Sequence, residues 1–527
     1  MRNFLSVIRR GTQRITGRLD RWTSGLLLAN GVILVLSLAL LRRFPPVFVD
    51  EAWNANRAWT WLQTGVNAGS MDFGGWEHLA GYWHFYPLLP SILLASLMRV
   101  WGVSLIPLRF LSWSFGVLLL VSVYSIVRSL SGTRRSGLLA CLLVLTSYAF
   151  LKSSHLVRPD IYVAALGYAG LALVLVDVRQ QHRLPLRSFL AGLLIAAGFE
   201  MHPNAVIFVP VVAVVCLAHA RRRILFCRPL WAFAVSLGIG LAGYAWLHIL
   251  PAPETYVAIS RGFSNSRVPP LLAGARAILT STGDTMRLLA IVTWGRLLSV
   301  PLAAAVIWQS RRRDSFVLVV MMLTGLAAFV LWVGTKLDYY AIYLTPLCDA
   351  VLAIALAQMV SVEGKKGFWW RRSKAITISI LVASVLVMVP VVAMSPPPGD
   401  MEKVALRIAR LAPQGSTLMG PQTYWFGLSD QRFLSWEWVS YRQRFGGAAS
   451  FADAMQAFHP DILIIDDHLR NFIQSGEPGP PGSVSSFWLE RWWSKRDLEA
   501  LLSARGQLLD TITTRAYGPV EVYALTW

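Results

Sequence analysis

The chain has 527 residues, of which 55% are hydrophobic and 15% charged, and its mean hydropathy is +0.51. That balance excludes an ordinary soluble protein of this length and makes the bilayer the natural solvent. The formal charge of +21 and the pI near 10.4 do not describe a nucleic-acid-binding face, because Lys and Arg fall in short clusters between apolar runs.

The N-terminus carries a basic stretch and then an apolar run from Gly25 to Leu41. The run meets Leu-Arg-Arg-Phe-Pro-Pro without a small-residue cleavage site, so it reads as a retained first span and not as a signal peptide. Runs that approach the ~20 residues needed to cross a bilayer as helix then follow. The spans are placed at 24–42, 104–127, 136–152, 161–178, 187–200, 204–220, 229–250, 286–308, 315–334, 340–360 and 375–394, about eleven in all. The two around His202-Pro203 are short enough to form one helical hairpin. Cys141, Cys216, Cys227 and Cys348 lie in or at the ends of these runs, which implies no disulfide framework.

Basic residues sort onto alternate loops, as the positive-inside rule requires. Arg9, Arg10, Arg14, Arg18 and Arg21 precede the first span, and Arg134-Arg135, Arg179 with Arg183 and Arg187, Arg221 to Arg223, Arg311 to Arg313, and Lys365-Lys366 with Arg371-Arg372 follow. These loops are expected in the cytoplasm. The loop 43–103, the turn at Arg158-Pro159-Asp160, the loop 251–285 and everything after Met394 are then expected outside a cytoplasmic membrane. The first outer loop holds Trp53, Trp59, Trp61, Trp76, Trp83 and Trp101 and an apolar stretch, Leu88 to Val100, too short to span. Both features belong at headgroup depth.

Ser-Pro-Pro-Pro-Gly after Met394 is a stiff exit from the membrane. Beyond it the pattern predicts helix over 402–411, buried strands at 416–420 and 461–465, helix over 488–504, and a hairpin of 508–513 with 520–525 around Gly518-Pro519. The organisation is therefore a cytoplasmic segment 1–23, a membrane domain 24–394 and a small extracytoplasmic α/β domain 395–527.

Asp50-Glu51 stands just past the outer end of the first span. Asp50 reads either as N-cap of an interfacial helix running from Glu51 to Gln63, with Glu51 complementing the helix dipole, or as a general base facing a substrate hydroxyl. Neighbouring side chains diverge on a helix, so at most one of the two faces substrate. Arg158-Pro159-Asp160 has an ordinary capping reading too, but it brings a second carboxylate and an arginine to the same face. Glu77, His78, His84, His155, Glu200 and His202 lack the spacing of a metal motif. No cofactor is expected, and a divalent metal stays a minor alternative. Asp466-Asp467-His468 reads as the loop after a strand.

Six motifs in order resemble the GT-C superfamily of membrane glycosyltransferases, in particular the bacterial protein O-mannosyltransferase-like and lipid A aminoarabinose or galacturonosyl transferase-like enzymes. They are Val-Asp-Glu-Ala at 49–52, Trp-His-Phe-Tyr-Pro-Leu-Leu-Pro at 83–90, Gly-Val-Ser-Leu-Ile-Pro-Leu-Arg-Phe at 102–110, Arg-Pro-Asp at 158–160, Gly-Phe-Glu-Met-His-Pro-Asn-Ala at 198–205 and Tyr-Tyr-Ala-Ile-Tyr-Leu-Thr-Pro at 339–346. The resemblance implies an α-helical polytopic fold and one inverting displacement that moves a sugar from a polyprenyl-phosphate carrier to an acceptor hydroxyl. It implies Asp50 as base, with Glu51 and Asp160 orienting it or the acceptor. Candidates to meet the departing phosphate are Arg158, Arg261, Arg267, Lys336, Tyr339 and Tyr340, each with an alternative as a headgroup anchor. Glu77, His84 and His202 are candidates to line the substrate cavity; many relatives have Lys-Pro-Pro or His-Pro-Pro where this chain has only Pro87, with His84 three residues before it. The expected partners are the lipid-linked sugar, membrane lipids and an acceptor that is a protein, lipid or glycan. A transporter of lipid-linked sugar and a scaffold for the C-terminal domain are the rival readings. A transporter would call for ionisable groups at mid-membrane and matching halves, and the spans show neither.

Overall fold

The computed structural model describes residues 20–71, 87–180, 185–220, 227–257, 269–292, 313–334, 336–361, 399–439, 450–474 and 495–527, with a few isolated positions besides. The chain is mainly helical, with a small sheet near its C-terminus. The expected span 375–394, the part of 286–308 beyond Val292, helix 488–494, and site candidates Glu77, His84, Arg261 and Arg267 lie outside the described residues.

Helix α1 (Arg21–Ala39) opens with the Asp20 carboxylate accepting the N–H of Thr23 at 3.0 Å and pairing with Arg135 at 3.1 Å. After it come α2 (Val49–Thr64), α3 (Leu88–Trp101), α4 (Leu105–Ser131), α5 (Arg134–Leu145), α6 (Tyr148–His155), α7 (Pro159–Gln180), α8 (Leu186–Met201), α9 (Phe208–Ala220), α10 (Arg228–Tyr244), α11 (Ala275–Val292), α12 (Arg313–Trp332) and α13 (Thr345–Ser361). Helix α10 runs on through a π turn, Ala245–Ile249. Among the described residues, α1, α4, α7 and α10 with its π turn are each long and apolar enough to cross a membrane, and α3, α9, α12 and α13 contribute shorter apolar helices. This is a multi-pass membrane protein.

Two details correct the expected spans. The third, 136–152, is two helices, α5 and α6, bent by 68°. Thr146 ends one and Ser147 starts the other, its hydroxyl accepting the N–H of Phe150 at 3.1 Å, which turns α6 aside and brings Lys152 and Arg158 to one end of the bundle. The loop 251–285 is also not all loop, since α11 begins at Ala275.

Without a hydrophobic drive between helices in lipid, close backbone approach at small residues carries the packing. Helices α8 and α10 meet in this way. A Cβ at Gly192 would stand 2.0 Å from the Ser236 hydroxyl and one at Gly240 would stand 2.2 Å from Ala196 Cβ. Gly167 makes the same room for the ring of Phe208, at 2.3 Å. At the α7–α8 turn the buried Asp177 carboxylate accepts both the N–H and the hydroxyl of Ser188, at 2.7 and 3.0 Å.

The C-terminal part comprises α14 (Asp400–Leu411), β1 (Thr417–Gly420), β2 (Arg432–Ser435), α15 (Phe451–Phe458), β3 (Ile462–Ile465), α16 (Asp467–Gln474), α17 (Lys495–Arg505), β4 (Gly506–Thr513) and β5 (Pro519–Leu525). The strand order is β2-β1-β3-β5-β4. β1 pairs parallel with β2 and β3, and β5 pairs antiparallel with β3 and β4, with a bulge between Leu508 and Asp510. Asp466 does not merely start a loop: its carboxylate accepts the N–H of Leu469 at 2.9 Å and the Tyr424 hydroxyl at 3.0 Å, capping α16. One apolar cluster joins this domain to α2 and α3, with Ala52, Ala55, Leu94 and Met98 on one side and Val404, Ile408, Trp425 and Phe426 on the other.

Candidate active site at the start of helix α2

Helix α2 begins two residues earlier than expected, with Phe48 and not Asp50 at its N-cap position. Asp50 and Glu51 thus occupy its first turn, where carboxylates complement the helix dipole, and their side chains diverge as neighbours on a helix must. The divergence separates two environments.

Glu51 is fully buried. Its oxygens take Arg109 Nε at 2.9 Å and Nη2 at 2.7 Å, the N–H of Val157 at 3.0 Å and the N–H of Phe48 at 2.9 Å. Arg109, on α4 and also buried, spends a further N–H on the Leu41 carbonyl at 2.9 Å. This bidentate pair ties three chain segments together and leaves Glu51 no exposed surface.

The Asp50 side chain keeps a quarter of its surface exposed and pairs with Arg158 Nη1. Arg158 turns its Nε to the buried Asp160 at 2.8 Å and lies over the Tyr339 ring, 3.8 Å from its centroid. Burial works against the charge on Arg158, but Asp160 and the neighbouring tyrosines hold its pKa above the ordinary arginine value. Asp160 also accepts the Tyr343 hydroxyl at 3.1 Å. Tyr339, Tyr340 and Tyr343 come from the 3₁₀ segment Asp338–Tyr343 and touch in series, at 5.0 and 5.9 Å between centroids. The His202 ring lies 6.1 Å from Tyr340, with its Nδ1 accepting the N–H of Asn204 at 3.2 Å. Asp50, Arg158, Asp160, Tyr339, Tyr340 and His202 are thus linked by contact.

Lys336 is placed differently. Its ammonium folds back on the last turn of α12, donating to the Phe329 carbonyl at 2.9 Å and to that of Val333. Burial pushes its pKa down to about 7, against the pull of Asp284. Among the described residues no three His, Cys, Asp or Glu side chains converge as a metal site would need.

Sequence reasoning gave no role to Arg109, although it lies within a quoted motif, nor to two pairs at the margin of the cluster. Lys152 on α6 pairs with Asp338 at 2.5 Å and lies 5.9 Å from the Tyr339 ring centroid. Glu200 accepts from the Leu88 N–H at 2.8 Å, capping α3 from a distant helix, and meets buried His248 on the π turn at 2.9 Å. The signal for Arg109 was an arginine just inside an apolar span, which demands a partner.

A family model described as dolichyl-phosphate-mannose-protein mannosyltransferase matches residues 86–246. No curated protein matches the sequence. ArnT from Cupriavidus metallidurans, bound to undecaprenyl phosphate, aligns over 96% of this chain and 98% of its own with a TM-score of 0.59 and 13% identity. The same protein in the apo state aligns over 95% and 98% with a TM-score of 0.60, also at 13% identity. The Archaeoglobus fulgidus oligosaccharyltransferase in the apo form covers 92% of this chain and 73% of its own at a TM-score of 0.49 and 11% identity. The chain has the GT-C fold, shared with ArnT, and its residues 86–246 are similar to the dolichyl-phosphate-mannose-protein mannosyltransferase family.

Proposed function

We propose that this protein transfers a sugar from a polyprenyl-phosphate-linked donor to an acceptor hydroxyl at the outer face of a cytoplasmic membrane, with Asp50 as the general base. One observation carries the reading: of the two adjacent carboxylates at the start of α2, only Asp50 is open to a substrate, and it is held by an arginine shared with a second, buried carboxylate. As a base, the Asp50 carboxylate takes the proton of the attacking hydroxyl. Asp160 and Tyr339 fix the guanidinium and so fix where Asp50 points.

Displacement at the anomeric carbon makes the bond to the acceptor oxygen as the bond to the phosphate oxygen breaks; the hydroxyl proton goes to Asp50 and the lipid phosphate leaves. Charge on that phosphate needs cations at headgroup depth, a role assigned to Arg158, Arg261 and Arg267 together with Tyr339 and Tyr340; the Lys336 ammonium, turned back onto carbonyls of α12, would have to swing out to join them. His202, beside Tyr340, faces the sugar in this reading, in company with Glu77 and His84. The PMT-type family match and the ArnT fold support the lipid-linked donor, since that ArnT structure holds undecaprenyl phosphate. The alternating basic loops support a cytoplasmic N-terminus and an outer C-terminal domain.

The test is transfer of radiolabel from a panel of polyprenyl-phosphate sugars into a membrane extract, comparing the native protein with Asp50→Asn and Asp160→Asn at equal folded amounts. Use of one donor and its loss in Asp50→Asn is the expected result. Full transfer by folded Asp50→Asn would refute the base, and failure of every donor with native protein would turn attention to transport.

A further inference from the structure

The strap between α1 and α2, residues 40–48, delivers Asp50 to its place and has little regular structure of its own. Side chains from elsewhere take up its backbone groups. Arg109 accounts for the carbonyls of Leu41 at 2.9 Å and Pro46 at 3.5 Å, and Glu51 for the N–H of Phe48 at 2.9 Å. The carbonyl of Val47, between these anchors, takes its bond from the soluble domain: the Tyr517 hydroxyl donates to it at 3.4 Å.

The turn that carries Tyr517 is built to hold it. Its N–H donates to the Thr514 hydroxyl at 2.9 Å, and its carbonyl accepts the N–H of Asp467 at 3.0 Å. Thr514 closes the turn with two bonds to the Gly518 carbonyl, from its N–H at 3.0 Å and its hydroxyl at 2.9 Å. Gly518 stands at φ +67°, where a Cβ would lie 1.8 Å from the Asp467 carboxylate, so glycine is required on both counts. Below Tyr517, the Tyr424 ring packs edge-on at 5.7 Å, and its hydroxyl is anchored on buried Asp466. Burial pushes the Tyr517 phenol above its ordinary pKa, with Arg109 and Glu51 close enough to act on it. An ordered column thus runs from the end of β3 to the strap two residues before α2.

We propose that the C-terminal domain positions Asp50 by holding this strap through Tyr517, which makes Tyr517 a positioning residue for the transfer reaction. The inference rests on the assignment of Asp50 above. It gives the domain a part in the catalytic geometry that is separate from recognising an acceptor.

The test uses the full-length protein in detergent or nanodiscs. Tyr517→Phe keeps the ring and removes only the hydroxyl; Tyr517→Ala removes the column's end. Hydrogen exchange followed by mass spectrometry is expected to quicken in peptides covering 44–53, while peptides of β1, β3 and α14 stay as in the native protein. Turnover of the lipid-linked donor is expected to fall about fivefold for Tyr517→Phe, the worth of one net hydrogen bond, and about 100-fold for Tyr517→Ala, the scale of a 1 Å misplacement, with KM for the donor held. Unchanged exchange at 44–53 in folded Tyr517→Ala overturns the docking. Quickened exchange with undiminished kcat overturns the positioning role. Exchange does not depend on Asp50 being the base, so failure of that assignment, read from Asp50→Asn, is told apart from failure of this one.

Discussion

Two ion clusters of the same chemistry lie one residue apart. In one, Glu51 meets Arg109 in the protein interior; in the other, Asp50 meets Arg158 at a partly open surface. The first is closed: its carboxylate has four donors and no exposure, and its arginine continues into backbone carbonyls. The second is shared, because Arg158 divides itself between Asp50 and Asp160 and rests on an aromatic face. Exposure and sharing, not residue type, separate a group that holds the fold from one that can act.

The largest effect expected from breaking this contrast is on turnover. Asp50→Asn should lower transfer by about 10²–10⁴-fold, the usual worth of a general base, while the melting curve of the purified protein stays close to native. Glu51→Ala should do the reverse in kind. It leaves Arg109 buried and uncompensated, at a cost of about 3–5 kcal/mol, so thermal unfolding or the yield of folded protein registers the change before any assay does. Arg158→Lys sharpens the comparison, because a point charge cannot serve both carboxylates and lie flat on Tyr339. Loss of one charged hydrogen bond, about 1.5 kcal/mol, should cost about tenfold in kcat.

The smallest effect concerns Lys336, a half-buried cation held by carbonyls where the others have carboxylates in contact. Its folded-state pKa of about 7 lies below the ordinary value of 10.5. Between those two values the unfolded chain binds the additional proton, so this group's contribution to stability climbs with pH across that window and is least favourable below it. Lys336→Met should therefore raise the melting temperature most below pH 7, with the gain fading toward pH 10.

Much of this was legible in the sequence, for physical reasons that differ from part to part. Apolar runs and basic loops are written locally, so the fold class and the Asp50, Arg158 and Asp160 triplet could be found by reading along the chain. The bend between α5 and α6 was less legible, since Thr146 and Ser147 interrupt apolarity only slightly while ending one helix and capping the next. Strand β2 is only four residues long and was not anticipated, and α16 was taken for a loop because its cap, Asp466, is also a common loop residue. The roles of Glu51 and Arg109 depend on contacts 58 residues apart, which no local pattern states. Lys336 was grouped with Tyr339 by proximity in sequence, yet its ammonium turns back along α12.

Among the described residues the sheet of the C-terminal domain ends in β4, whose outward residues include the half-exposed Leu508. An unpaired edge of this kind is a template for strand addition from another molecule, and proteins confined to a membrane meet their neighbours in two dimensions. The register shift between Leu508 and Asp510 breaks the flat run a second strand would need, and the Asp510 carboxylate, paired with Arg407 at 2.7 Å, puts an ion pair at that break. A variant that straightened β4 would be expected to self-associate first through this edge.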